Sequence, residues 1–169
     1  LAYVQMRAVG GGSAAIETVA REAIKRRASR EDVETLKSES RKMRLRLEES
    51  HGRTPGGREI NIKFGSGGLL DIYFAVRFLQ LANGDAVAPE VRSTSAKLAA
   101  FQAAGLLSAD DFASLHAGHA FLSALDHTIR LIVGRSSRFP RANYTAVEHI
   151  AERMSLSSVD ELYQQLALN

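Results

Sequence analysis

The fold is decided by residues 63–81, which read KFGSGGLLDIYFAVRFLQL. Glycines break the chain at the start of this stretch, and the residues after them are apolar on most sides of a helix turning by about 100° per residue. A single acid, Asp71, lies opposite the narrow polar sector of this helix. We therefore predict a central buried helix over residues 69–83. The polar sector comprises Tyr73, Arg77 and Gln80.

Helical spacing of apolar residues continues on both sides of this stretch. Only residues 59–64 alternate in the manner of a strand, and they are few. We predict an all-α fold: a helical bundle with a long helical hairpin arm and at most one short strand-like segment. Capping-box spacing recurs at Ser29 with Asp32, Ser108 with Asp111 and Ser157 with Asp160. The predicted helices cover residues 14–28, 30–50, 69–83, 94–104, 109–133, 145–154 and 159–167.

The helix predicted over residues 30–50 is charged, with a narrow apolar seam that suits an antiparallel hairpin. Its basic run, residues 41–46, is flanked by glutamates, and we interpret this run as a solvated face. The seam consists of Val33, Leu36, Met43 and Leu47.

The composition is that of a globular domain, with 169 residues, 45% of them hydrophobic and 24% charged. The absence of cysteine excludes a disulfide framework and thiolate metal sites. The net charge is +3 with acids and bases interspersed, so we expect no nucleic-acid partner. The longest apolar stretch, residues 69–81, is too short to span a bilayer, so we expect no membrane association. The absence of cysteine fits a cytoplasmic location, which we expect.

The first break in the chain is Gly10-Gly11-Gly12-Ser13. The ten residues before it are too few for a domain, and the sequence starts at Leu1 without an initiator Met. We interpret residues 1–13 as the tail of a preceding domain and residues 14–169 as a helical domain.

The glycine-rich turn is the first candidate for chemistry. Glycines let backbone amides approach a ligand, and a helix N-terminus attracts anions, so a phosphate contact is one interpretation. The turn fails the P-loop pattern and the dinucleotide-binding pattern, and we favour a tight structural turn. The residues of this candidate are Lys63, Gly65, Gly67 and Gly68.

Asp71 is the second candidate. No second carboxylate follows it at i+3 or i+4, so a structural role is favoured over a catalytic or metal-binding one. A carboxylate in the first turn also meets the positive end of the helix dipole. If Asp71 is buried it needs a cation, and we expect Lys63 or Arg130.

A run of arginines, including Arg130, Arg135 and Arg138, passes through a helix end and the loop after it. Cations stabilise a helix C-terminus, and such a cluster could also contact an acidic partner or a nucleotide phosphate. His116 and His119 could hold a metal, but no third ligand is obvious and we assign no metal site.

No catalytic residues are assigned. Two-metal nucleotidyl transfer needs nearby aspartates, and no Asp-x-Asp occurs anywhere in the chain. We therefore expect that this chain alone does not transfer nucleotides.

Residues 62–74 with Leu79-Gln80-Leu81 resemble the K-x-G-x-G-G-[IL]-x-[DE]-I-E-F and L-Q-L segments of glutamine synthetase adenylyltransferases. Weaker similarities follow in register. Residues 6–11 resemble the A-R-P-V-A-G that closes the family's nucleotidyltransferase domain, residues 105–108 its G-L-[IL]-[ST] turn, and residues 125–131 its L-E-H-x-L-R helix. Tyr73, Arg77 and Ala8 replace the family's Glu, Gln and Pro, so no acidic role carries over to position 73.

The resemblance implies a helical domain that follows a nucleotidyltransferase domain, its adjacent partner, and positions or regulates it. It implies ATP and magnesium for the parent enzyme, none of them held by this chain, and glutamine synthetase and a nitrogen-signalling protein as partners. The related uridylyltransferases of the signalling protein are an alternative. Two functions of different classes also fit the residues: a stand-alone helical anion-binding module, and a metal-dependent hydrolase using His116 and His119.

Overall fold

In the computed structural model, the described residues are 18–19, 22–23, 32–83, 91–134 and 137–168, and the predicted all-α class is confirmed. Residues 18–19 and 22–23 are helical, as predicted for that segment. The predicted tail, residues 1–13, and most of the first predicted helix, residues 14–28, lie outside the described residues. The remaining helices are α1 (Val33–Leu47), α2 (Leu69–Ala82), α3 (Thr94–Ala103), α4 (Ala109–Ile132), α5 (Tyr144–Arg153) and α6 (Val159–Leu168).

Helix α2 is the central helix, as its apolar composition predicts. No residue of this helix is exposed, and Leu69, Ile72 and Val76 are buried on one side of it. The predicted polar sector is wrong at Gln80, which is 4% exposed and accepts a hydrogen bond from Arg77 at 2.7 Å. Helix α2 is enclosed because α1, α3 and α4 all pack against it.

Helix α4 is the longest helix among the described residues and contacts α2, α3 and α5. Its start is fixed as predicted, because the Ser108 hydroxyl accepts the Asp111 amide at 3.1 Å and donates to the Asp111 carboxylate at 2.6 Å. Gly134 follows its end at φ +106°. The core around α4 contains the fully buried residues Leu98, Phe101, Leu125, Ile129, Phe139, Ile150 and Leu162.

Two short strands, β1 (Ile60–Asn61) and β2 (Arg138–Phe139), pair antiparallel and join the segment before the glycine turn to the loop after α4. Only β1 lies in the predicted strand-like segment, and residues 62–64 turn instead of extending. The second strand was not predicted, because two residues are too few to show an alternating pattern.

Helix α1 differs from its predicted form. It begins at Val33 with Asp32 as the N-cap residue, whereas the predicted capping box had Ser29 as the N-cap and Asp32 as the third helical residue. It ends in a π-helical turn, Glu48–Gly52. The predicted seam is wrong at Val33 and Met43, which are 48% and 46% exposed. At α6 the cap lies one residue later than predicted, with Ser158 accepting the Glu161 amide at 3.0 Å.

Among the described residues, no helix combines the length and the apolar character that a membrane crossing requires.

Leu125→Ala should lower the free energy of unfolding by about 2–5 kcal/mol, because Leu125 is 0% exposed and its loss leaves a cavity. The matched control is Leu131→Ala on the same helix, where Leu131 is 56% exposed and the expected change is within about 0.5 kcal/mol. Urea unfolding measures both. Equal effects of the two substitutions would contradict the placement of the core.

Candidate functional site

The glycine-rich turn is held by its own backbone. The Asn61 carbonyl accepts the Gly65 amide at 2.9 Å, and the Asn61 side chain accepts the amides of Lys63 and Phe64 at 3.2 and 3.0 Å. The first amides of α2, at Leu69, Leu70 and Asp71, donate to the carbonyls of Ile62, Lys63 and Gly68 at 3.0, 3.0 and 2.9 Å. These amides are therefore occupied, and the helix start does not offer them to an anion.

Two of the glycines are required by close approach of backbone. A Cβ built on Gly65 would lie 2.5 Å from the Asn61 carbonyl oxygen. A Cβ on Gly68 would lie 2.8 Å from the Ile62 oxygen and 2.9 Å from the Gly65 oxygen. The predicted structural interpretation of the turn thus has a direct steric cause.

Arg44, on α1, binds this turn, although the flanking glutamates predicted a solvated face for the run that contains it. Its side chain is only 8% exposed. Its Nε donates to Asp71 Oδ1 at 2.5 Å and its Nη2 to Asp71 Oδ2 at 2.8 Å, a bidentate pair. Nη2 also donates to the Gly65 carbonyl at 2.8 Å, and Nη1 donates to Glu48 at 3.2 Å. One guanidinium therefore joins α1, the turn and α2.

The expected partners of Asp71 were wrong. Lys63 lies over the Phe64 ring with its Nζ 5.4 Å from the ring centroid, and Arg130 pairs with Asp126 at 2.9 Å. Asp71 does lie in the first turn of α2, but its side chain is 40% exposed. The buried charge is the cation, and the acid reaches in from the surface to neutralise it.

A basic cleft of about 460 Å³ opens beside the turn. Three of the predicted anion-contact residues, Lys63, Arg130 and Arg138, come together in it. Arg53 also lines the cleft, although no pattern in the sequence predicted it. Arg135 lies outside the described residues. The cleft is lined by Ser50, His51, Arg53, Asn61, Lys63, Phe64, Arg130, Ser137 and Arg138.

A second polar group lies between α2, α3 and α4. The ring nitrogens of His119 contact the hydroxyls of Ser95 and Ser123 at 3.2 and 3.5 Å, and its ring meets Tyr73 edge-on at a centroid distance of 6.1 Å. Burial raises the pKa of the Tyr73 phenol, and the Asp126 carboxylate raises it further. Asp126 Oδ1 is buried without a hydrogen-bond partner in the structure.

The magnesium ion that the resemblance implies for a parent enzyme finds no ligand set in the part of the chain that the structure describes. No group of three or more His, Asp or Glu side chains converges there. Both oxygens of Asp71, the acid of the signature, bind Arg44. His116 stacks on Phe112 at 5.2 Å between ring centroids, and both nitrogens of His119 contact hydroxyls.

The family described as GlnD PII-uridylyltransferase matches residues 18–168, which include every helix of the described structure. The chain belongs to this family. No solved structure matches it significantly.

The relatives carry the name that the signature predicted: each is a bifunctional glutamine synthetase adenylyltransferase/adenylyl-removing enzyme. The protein of Mycobacterium avium (strain 104) is 42% identical over 90 residues, 53% of this chain and 9% of its own length. That of Mycobacterium leprae (strain TN) is 40% identical over 95 residues, 56% of this chain and 9% of its own. That of Nocardia farcinica (strain IFM 10152) is 41% identical over 75 residues, which are 44% of this chain and 8% of its own length. The chain thus spans about a tenth of the length of these relatives.

Asp71→Ala should lower the free energy of unfolding more than Arg44→Met does. Loss of the acid leaves the buried guanidinium with only Glu48 and one carbonyl as acceptors, which should lower the free energy of unfolding by about 2–4 kcal/mol. This loss is smaller than for a fully buried pair, because the Asp71 side chain is 40% exposed. Loss of Arg44 leaves two carboxylates that water can reach, at about 1–2 kcal/mol. Urea unfolding measures both, with the exposed Arg46→Met as the control. The reverse order would show that Arg44 is not the buried charge.

His119 should make the fold less stable in mild acid. Burial, and secondly the charge of His116, lower the pKa of His119 in the folded chain. Its contribution is therefore present above the unfolded pKa of about 6.5 and is lost as the pH falls through the lower folded value. We expect His119→Gln to reduce the loss of unfolding free energy between pH 7.5 and 5.5. Substitution of the exposed His149 by Gln is the control, and an unchanged pH dependence in the His119 variant would refute the assignment.

Proposed function

We propose that this chain is a helical domain without a catalytic centre of its own, which packs beside a nucleotidyltransferase domain and positions or regulates it. The observation that carries this proposal is the bidentate pair of Asp71 with Arg44. Both carboxylate oxygens of the one acid in the signature bind Arg44, and this contact joins α1, the glycine turn and α2. This acid acts as a structural group, and the chemistry of the parent enzyme falls to another domain.

The sequence relationships support the same division. The matching relatives are about ten times longer than the stretch they share with this chain. The chain has no Asp-x-Asp to hold the metal ions of nucleotidyl transfer. In this proposal residues 1–13 are the end of the catalytic domain, and the helical domain begins at about residue 14.

The glycine turn is the part of the fold best suited to face that domain. Ser66 and Gly67 are exposed at its tip, while Gly65 and Gly68 are locked against backbone beneath them. A rigid base under an exposed tip presents a surface of fixed shape, which positions a neighbour better than a loose loop does.

The parent enzyme in this proposal transfers AMP from ATP to glutamine synthetase with magnesium, in the cytoplasm, under control of a nitrogen-signalling protein. The names of the curated relatives support glutamine synthetase as the target. A second candidate is uridylyl transfer to the PII signalling protein, which the family description supports. Both candidates use the helical domain in the same way and differ in the nucleotide and the acceptor.

A bulky substitution at the tip tests the proposed interface. Ser66→Trp should leave the thermal stability of this chain within a few degrees, because the side chain is exposed. In the full-length enzyme it should lower nucleotidyl transfer roughly tenfold or more, since a misplacement of about 1 Å can cost a hundredfold in rate. The measurement is transfer of labelled AMP or UMP to glutamine synthetase and to the PII protein.

The matched control is Ser114→Trp, on the exposed face of α4. Full activity of both variants would mean that the turn does not face the catalytic domain. Transfer of a nucleotide by the 169-residue chain alone would overturn the proposal of a domain without a catalytic centre. The labelled acceptor separates the two candidate reactions.

A further inference from the structure

The basic cleft is built by segments far apart in the chain. Arg53 follows the π-helical turn that ends α1, Lys63 belongs to the glycine turn, Arg130 to the last turn of α4, and Arg138 to β2. The fold brings four cations from four segments to one concave surface. Because like charges repel each other, this convergence has an electrostatic cost.

Neighbouring carboxylates compensate only part of this charge. Asp126 pairs with Arg130 at 2.9 Å and Glu59 with Arg138 at 3.4 Å. Arg53 and Lys63 form no ion pair within the described part of the chain. The ends of α1 and α4 add about half a negative charge each, which is less than the charge of these two cations. The cleft keeps a net positive charge that no described group neutralises.

Each of the two paired arginines has a partner in the protein that orients its guanidinium group. The Nε of Arg130 binds Asp126 and its Nη2 donates to Ser137 Oγ at 3.1 Å. Arg138, in β2, donates to Glu59, the residue that precedes β1, at 3.4 Å. Guanidinium groups held by second partners lose little further freedom on binding an anion, which favours recognition of phosphate oxygens.

The shape of the site selects a small, highly charged ligand. A volume of about 460 Å³ is within the range of small-molecule sites, and its walls are mostly polar. A flat acidic protein surface would not enter a concave site of this size, whereas a chain of phosphates with several charges could contact several of the cations that line it.

We propose that the basic cleft is a binding site for a polyphosphate group, with Arg53 and Lys63 as the residues that neutralise it. The group belongs either to a nucleoside polyphosphate or to free polyphosphate, whose shared chemistry is a row of oxygens with multiple negative charges. This inference goes beyond the proposed packing role and does not depend on it, because it concerns binding by this chain alone.

Calorimetric titration of the 169-residue chain with tripolyphosphate, ATP and adenosine tests the proposal. We expect saturable binding of tripolyphosphate and ATP that weakens when KCl is raised from about 50 to about 300 mM, because salt screens a partly exposed site. Equal affinities would identify the phosphate chain as the whole ligand, and tighter binding of ATP would identify a nucleoside polyphosphate. Both outcomes support the site.

Arg53→Gln with Lys63→Gln should weaken tripolyphosphate binding by roughly tenfold or more, as expected for loss of charged hydrogen bonds. The control, Lys37→Gln with Arg41→Gln, removes the same charge from exposed positions on α1 and should change the affinity less than about threefold. If the double variant loses its cooperative thermal transition, Arg53→Gln alone, at an exposed loop residue, replaces it.

Three results would overturn the proposal. The first is absence of saturable binding to both tripolyphosphate and ATP. The second is an equal loss in the cleft and control variants, which would indicate a diffuse charge effect. The third is binding of polyglutamate without binding of tripolyphosphate, which would assign the cleft to an acidic protein segment. Nucleotidyl transfer is not measured, so failure here leaves the proposed packing role to its own test.

Discussion

The arrangement of this domain depends on one buried cation. The side chain of Arg44, on α1, extends toward α2 and is 8% exposed. A guanidinium group removed from water requires hydrogen-bond acceptors in fixed directions. Asp71, Glu48 and the Gly65 carbonyl supply them. Each acceptor belongs to a different stretch of chain, so satisfying one side chain determines how α1, its final turn, the glycine turn and α2 lie together.

The glycine turn is shaped by that requirement as well as by sterics. Its carbonyl at Gly65 accepts both the Gly68 amide at 3.1 Å and Arg44 at 2.8 Å, so the oxygen must face inward. A Cβ at Gly65 would collide with the Asn61 oxygen in the same conformation. Asn61 also donates to the His51 carbonyl at 2.7 Å, and the rings of His51 and Phe64 lie 5.1 Å apart. The end of α1 and the turn thus form one unit.

Much of this fold could be predicted from local patterns. The start of α4 follows from Ser108 and Asp111, because a capping box uses contacts within four residues. The central position of α2 follows from its apolar composition. The burial of Arg44 could not be predicted in this way, because its partner Asp71 lies 27 positions further along the chain. Within the run of cations and glutamates, no local pattern distinguishes Arg44 from its exposed neighbours. The predicted seam of α1 has no apolar residue between Leu36 and Met43, and the buried residue of this helix is Arg44.

The same limit applies to the cleft. Arg130 and Arg138 could be named from the sequence because they follow one another near a helix end, but Arg53 is isolated in its loop. It joins the cleft because the π-helical turn after α1 and the pairing of β1 with β2 bring both segments beside Lys63. Residues 63–65 therefore serve two electrostatic environments at once. The Gly65 carbonyl binds Arg44, whose charge Asp71 and Glu48 neutralise, while Lys63 lines the cleft, which keeps a net positive charge. A shift of this turn would alter helix packing and the cleft together, so the surface proposed to face the catalytic domain and the site proposed for polyphosphate are mechanically linked through three consecutive residues.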